Sequence, residues 1–386
     1  MNIPFHKPIL PQSLDEIFAQ TIQNGWLTTG PQVAQFESLL CEYLDANHVV
    51  AVNSCTAGLH LSLLAKGFKR GDYFIAPTYT FVASVEVGEY LGMLPELIDC
   101  DNSFNIDLNQ IEDRIKNNNK IKCIIPVHFA GNPVNMKEII YLSEKYNLFV
   151  LEDAAHALEA KSNIGKIGVT KDACAFSFYA NKNITTGGEG GAVATNDEKL
   201  ASDIRQLSLH GMSKDGWNRF KLGGKWSYDV SKLGYKYNMT DIAASFGIWQ
   251  MDYLDTWHSD RKSYVDQYRN YFNSIDGVKT QDSESKNEVN AYHLFIISIK
   301  PNKWKINREE LIVLLNEHGI GTSVHYIPVH MHSYYVNKYG YSENDFPNAT
   351  HFSKNVISLP LYPALKTSDI GYIIRTFDML WKKHCI

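Results

Sequence analysis

Leu148-Phe149-Val150-Leu151-Glu152-Asp153-Ala154-Ala155-His156 is an apolar run that ends in acid, and it decides how the chain is read. Its companion lies downstream: Ser177-Phe178-Tyr179-Ala180-Asn181-Lys182-Asn183-Ile184-Thr185-Thr186-Gly187-Gly188-Glu189-Gly190-Gly191. A lone lysine is usually a solvated surface charge. Lys182 instead follows the apolar run Ala173 to Tyr179 and precedes a glycine cluster, which implies unusual backbone angles and close packing. A lysine amine can form an imine with the aldehyde of pyridoxal phosphate (PLP), and a strand-end aspartate can keep the pyridine nitrogen protonated. Together the two stretches point to that chemistry. A phosphate-binding P-loop is a poor alternative because GxxxxGK[ST] is absent, and the glycines lack the Rossmann GxGxxG spacing.

Around this pair, short apolar runs alternate with helix-length patterns. His48–Val52, Tyr73–Pro77, Leu94–Ile98, Ile121–Val127 and Leu148–Leu151 read as strands. Thr56–Lys66, a stretch near Val82–Leu91, and Met136–Tyr146 read as helices. The pattern predicts an α/β fold with a mostly parallel sheet covered on both faces, its functional residues at strand C-termini and helix N-termini. From about Met251 the character changes. A helix over Tyr264–Ile275, a strand over Ala291–Ile299, a helix over Arg308–His318, an extended Thr322–Ile327 and a closing helix over Ser368–Lys383 describe a smaller α+β unit. The expected division is a large domain over 1–250, including the N-terminal segment, and a small C-terminal domain over 251–386.

Three further groups bear on a site. Val52-Asn53-Ser54-Cys55-Thr56-Ala57-Gly58 joins a strand to a helix, where backbone N–H groups and the helix dipole can hold a phosphate; Ser54 or Thr56 can equally just cap that helix. Asp153 also has a capping reading, and His156 is either a contact to a cofactor's phenolic oxygen or a satisfied histidine at a helix start. His325, His330 and His332 suggest zinc at first sight. Pro328 interrupts the segment and no cysteine or carboxylate completes a set, so substrate contact or packing is preferred to a metal.

Composition narrows the class. A chain of 386 residues, 44% hydrophobic and 20% charged, can bury a substantial core. A net charge of −5 without long blocks gives no nucleic-acid footprint and no membrane-binding stretch. No apolar run is long enough to span a bilayer, and Met1 to Pro8 lacks a signal-peptide core. The six cysteines are scattered, as expected of reduced thiols in the cytoplasm. Cys55 reads as an inert small residue, although its place beside the phosphate loop leaves a reactive role open.

Ordered motifs along nearly the whole chain resemble the sugar aminotransferases of the DegT/DnrJ/EryC1/StrS group, which are fold-type I PLP enzymes of the aspartate-aminotransferase-like class. They are Gly25-Trp26-Leu27-Thr28-Thr29-Gly30-Pro31, SCTA at 54–57, EDAAHA at 152–157, SFYANKN at 177–183, Leu209-His210-Gly211-Met212-Ser213-Lys214, Gly234 to Asp241, Gly321 to Pro328 and Ser358 to Pro363. The resemblance implies that Lys182 carries the cofactor and shuttles protons, Asp153 pairs with the ring nitrogen and His156 contacts the ring oxygen. It places Phe81 against the cofactor ring. Thr56, Ala57 and Ser177 would bind the phosphate, joined by Asn238 of a second subunit, so the enzyme would be a homodimer with shared active sites. Thr29, His210, Tyr326 and His330 would lie near a nucleotide-sugar substrate. L-glutamate would be the amino donor and C-4 of a 4-keto-6-deoxyhexose the acceptor, with a C-3 aminotransferase or a PLP-dependent dehydratase as alternatives. The relatives' TTGEGG is one glycine longer here, a form that some C-4 enzymes share. Dehydratases of the group carry histidine where this chain has Lys182.

Overall fold

The computed structural model describes residues 1–13, 15–168, 171–212, 229–281 and 287–386. Ser213 and Lys214 of the Leu209–Lys214 motif lie outside the described residues.

A seven-stranded sheet organises the larger part. Its strands are β1 (His48–Val52), β2 (Tyr73–Pro77), β3 (Leu94–Ile98), β4 (Ile121–Ile124), β5 (Phe149–Asp153), β6 (Ala173–Ser177) and β7 (Gly191–Thr195). The spatial order is β1-β7-β6-β5-β4-β2-β3. Every pair from β6 to β3 is parallel, whereas β7 runs against both of its neighbours. Both faces are covered. In β1, Val50 and Val52 enter one apolar core while Val49 and Ala51 enter the other, the alternation a pleated strand imposes. The antiparallel step between β6 and β7 positions the site. It lets residues 178–190 leave and re-enter the sheet at the same end of two neighbouring strands, so Lys182 stays beside the end of β5.

The first three expected strands appear with the expected bounds. The fourth ends at Ile124 instead of Val127, because Pro126 has no N–H to continue the ladder. The fifth runs on through Asp153, which is therefore the last residue of a buried strand.

In the C-terminal part, β8 (Val278–Thr280), β9 (Phe295–Ile299) and β10 (Val356–Leu359) form an antiparallel sheet. Residues 291–294 are not a strand, since the amides of Ala291, His293 and Leu294 turn to the Gly131 and Ala130 carbonyls and that of Tyr292 to Asn290 Oδ1. The extended reading of Thr322–Ile327 survives only as a single bridge between Ser323 and Ser358. The helix expected over Tyr264–Ile275 is instead a 19-residue helix, α1 (Leu254–Phe272). Leu254 and Trp257 of α1 pack in a core of the large sheet, and Val265, Tyr268 and Phe272 pack in the C-terminal core.

The cores do not follow a cut at residue 250. Ile3 belongs to the C-terminal core and bridges Ile320, although the N-terminal segment was expected to go with the large domain. Val329, Tyr335, Phe346 and Phe352 return to the core of the large sheet.

Candidate active site

A cavity of about 440 Å³ opens at the carboxyl ends of β5 and β6. That is an ordinary size for a small-molecule site. Its walls bring together Thr56, Phe81, Asp153, His156, Ser177, Lys182 and Tyr326 from segments far apart in the chain.

The phosphate end comes from helix α2 (Cys55–Lys66). Ser54 caps it, its Oγ accepting the Ala57 N–H at 3.1 Å, so the capping alternative holds for Ser54 and leaves the Thr56 side chain on the cavity wall. Ala57 itself is buried behind that wall. The amides of Cys55 and Thr56, in the first helical turn, have no intrahelical acceptor and suit an anion. Gly191 supplies the space. A Cβ there would lie 2.4 Å from the carbonyl carbon of Ser54, so β7 can approach the loop only through glycine.

Asp153 closes the other end and is buried. Its Oδ2 accepts from Ser84 Oγ at 2.6 Å and its Oδ1 from the Ala155 N–H at 3.0 Å. A carboxylate offers about four acceptor sites, so capacity remains for a protonated ring nitrogen.

Lys182 opens toward the cavity, yet desolvation by the surrounding protein lowers its pKa from 10.5 to about 8, against the opposing pull of Cys55 and Asp153. A near-neutral amine is what carbonyl chemistry requires. The same shift has a stability consequence. Between pH 8 and 10.5 the unfolded chain holds more proton on this amine than the native one, so the burial penalty is full below the folded pKa and fades as pH rises through that window. Cofactor-free Lys182→Met should therefore be more stable than wild type at neutral pH, with the gap closing toward pH 10.5. Chemical denaturation across pH measures this, and a pH-independent gap contradicts it.

His156 is a neutral imidazole. Its pKa is held well below the usual value by burial, then by Lys182 and His325. Nδ1 accepts the Ala130 N–H at 3.2 Å, so the proton sits on Nε2, which faces Tyr326 Oη at 3.1 Å. Tyr326 accepts that proton and keeps its own free. Burial, with Asp153 second, raises the Tyr326 pKa, so the hydroxyl stays protonated. The contact expected between His156 and the cofactor ring oxygen thus finds its Nε2 already held by Tyr326. Phe81 is 57% exposed and lies 5.8 Å from the Tyr326 ring, leaving its face open at the mouth.

Other expected residues lie elsewhere. Asn238 donates to Thr29 Oγ1 at 2.7 Å, a pair outside this chain's cavity, and His210 is exposed. His330 corrects its expected substrate role. It is fully buried, with Nδ1 on Thr78 Oγ1 at 2.8 Å and Nε2 on Thr350 Oγ1 at 3.0 Å, so it packs and does not line this cavity. His325 turns instead to Ser358, so the two histidines do not converge. The sequence reading missed Asn181, Tyr179 and Glu189, which line the cavity; so does His325, for which substrate contact or packing was expected. Asn181 Oδ1 is buried without a partner and awaits a donor.

The profile of the DegT/DnrJ/EryC1/StrS aminotransferase family matches residues 10–378. The chain belongs to that family. The aminotransferase is 41% identical over 375 residues to the spore coat polysaccharide biosynthesis protein SpsC of Bacillus subtilis, covering 97% of this chain and 95% of the relative. It is 35% identical to the UDP-4-amino-4-deoxy-L-arabinose–oxoglutarate aminotransferase of Shewanella sediminis, covering 97% of each. Among solved structures it superposes on Spr1654 from Streptococcus pneumoniae in its PMP form with a TM-score of 0.91 at 31% identity, covering 99% of this chain and 100% of the other. The PLP form of the same protein gives 0.91 as well. The fold is therefore fold type I and the cofactor is PLP; Lys182, Asp153 and the α2 N-terminus are the groups that could hold its aldehyde, ring nitrogen and phosphate. Among the described residues no helix is long and apolar enough to cross a membrane.

Proposed function

We propose that this aminotransferase moves an amino group from L-glutamate to C-4 of a nucleotide-linked 4-keto-6-deoxyhexose. The product, a 4-amino-4,6-dideoxy sugar nucleotide, would serve surface polysaccharide or glycan synthesis. The observation that carries the reading is the full-length similarity to an enzyme named for a nucleotide-linked C-4 amine and for oxoglutarate, the keto acid that glutamate leaves behind. SpsC, named for polysaccharide biosynthesis, supports the same setting.

Bound in the cavity, PLP supplies an aldehyde carbon and a protonated ring that draws electrons from the bond being broken. Asp153 holds the proton at the ring nitrogen. Lys182 Nζ takes the proton from the amine-bearing carbon of glutamate, and in the return half delivers one to the sugar carbon that receives nitrogen. The Tyr326 hydroxyl donates into the cavity, while Thr56 and Ser177 hold phosphate. A cytoplasmic homodimer fits the exposed apolar side chains of Leu27, Phe81, Tyr179 and Leu233, which a second copy would cover. In that dimer Asn238 would complete the partner's phosphate site, with Thr29 and His210 toward the sugar nucleotide.

The test is the visible spectrum of the PLP-loaded protein. L-glutamate should remove the absorption band of the lysine-bound cofactor, and a UDP-, dTDP- or GDP-linked 4-keto sugar should restore it with nitrogen at C-4 by NMR of the product. Nitrogen at C-3, or a deoxygenated sugar without nitrogen, replaces this reading with the C-3 aminotransferase or the dehydratase.

A further inference from the structure

Arg261 is 1% exposed and sits on α1 between the residues that pack in one core and those that pack in the other. A guanidinium stays charged in a protein, so its burial demands a partner. Glu159 is that partner, equally buried, its Oε1 accepting from Arg261 Nη2. Its other oxygen, Oε2, accepts from Asn183 Nδ2 at 2.7 Å, and the same Nδ2 donates to the Ala291 carbonyl at 2.9 Å. Asn183 is the residue after Lys182.

Two acceptors at Nδ2 settle which way the Asn183 amide points. Its Oδ1 then faces His293 Nδ1 at 3.0 Å, and an amide oxygen only accepts. His293 must carry its proton on Nδ1. Burial, then the neighbouring His156 and Lys182, keep this imidazole neutral. Its ring rests on that of His156, centroids 4.3 Å apart, and His156 in turn holds Tyr326. Arg261, Glu159, Asn183 and His293 do not themselves line the cavity.

We propose that Arg261, Glu159 and Asn183 are positioning residues of the transfer reaction: they pin the backbone that follows Lys182 and hold His293 in one tautomer against His156. The proposal rests on Lys182 being the cofactor-bearing lysine.

Glu159→Gln is the informative change. A carboxylate accepts from Arg261 and Asn183 together, whereas an amide has one oxygen. Arg261 has no alternative form and takes that oxygen, so the new NH₂ meets Asn183 Nδ2. Turning the Asn183 amide over relieves this clash and presents Nδ2 to His293, but it sets Oδ1 against the Ala291 carbonyl, so neither orientation is fixed and His293 Nδ1 no longer faces a constant acceptor. Ring-nitrogen NMR of full-length, PLP-loaded protein labelled with ¹⁵N-histidine reads this directly, with His293→Gln to assign the signal. We expect Nδ1–H alone in wild type and a mixture of Nδ1–H and Nε2–H in Glu159→Gln. Turnover should fall about tenfold to a hundredfold, with KM for glutamate within about twofold.

Should Glu159→Gln fold poorly around the buried guanidinium, Asn183→Ala carries the same test, since it removes the acceptor facing His293 and leaves the buried pair of charges intact. It should lose the single Nδ1–H tautomer and turnover alike. A wild-type His293 protonated on Nε2, or variants matching wild type in tautomer or kcat, overturns the proposal. Lys182→Ala separates the two ideas: a lysine-bound cofactor band that persists there sinks the role of Lys182, whatever the tautomer of His293.

Discussion

Lys182→Ala should lower turnover by about 10⁴-fold and abolish the visible band of lysine-bound PLP. The expectation follows from two separate losses. The amine whose pKa is brought to about 8 by burial is the cavity's group poised both to hold the cofactor carbon and to move a proton at neutral pH. Nearby substitutes are unsuited. The imidazoles of His156 and His325 are depressed by burial, the latter to about 4, and the Tyr326 hydroxyl is pushed upward, so none exchanges protons readily near pH 7. Absorbance stopped-flow with L-glutamate measures the first half-reaction without the sugar. Turnover within about tenfold of wild type would remove Lys182 from the chemistry.

Asp153→Asn should cost about a hundredfold to a thousandfold in turnover, as for loss of one preorganised electrostatic partner. The substitution keeps the shape and removes the charge. The Ser84 hydroxyl and the Ala155 amide both donate to the carboxylate at present. Asparagine has one oxygen for those two donors, so its NH₂ takes the place of one carboxylate oxygen, and no negative charge remains to hold a proton on the ring nitrogen. Ser84→Ala removes one donor without touching the charge and should cost far less. Steady-state kinetics on the three proteins checks the order. Equal losses in Ser84→Ala and Asp153→Asn would mean that the carboxylate acts only as a structural cap.

Much of the site was legible because its chemistry is local. Asp153 ends a buried apolar run, Lys182 sits among glycines, and Thr56 opens a helix after a strand. Each is readable within about ten residues and each lies where parallel strands end. His293 was not legible. In Ala291-Tyr292-His293-Leu294-Phe295 it looks like one position of an alternating strand, and its role comes from Asn183, which is distant in the chain. His330 misled for the opposite reason. Three histidines in eight residues invite a shared task, yet Thr78 and Thr350 take up both of its ring nitrogens. The fold shows the same contrast. The first three strands kept their predicted ends, whereas the start of α1 was placed ten residues late. Its first half, Leu254-Asp255-Thr256-Trp257-His258-Ser259-Asp260, is polar apart from two anchors that belong to a different core.

Because α1 serves both cores, its length is not free. One residue inserted between Trp257 and Val265 would rotate everything after it by about 100° around the helix axis. Val265, Tyr268 and Phe272 would then leave the C-terminal core while Leu254 and Trp257 kept theirs. An insertion before Arg261 would also swing its guanidinium away from Glu159. Loops elsewhere can lengthen or shorten with little effect, but this helix works as a gauge whose phase both halves must share.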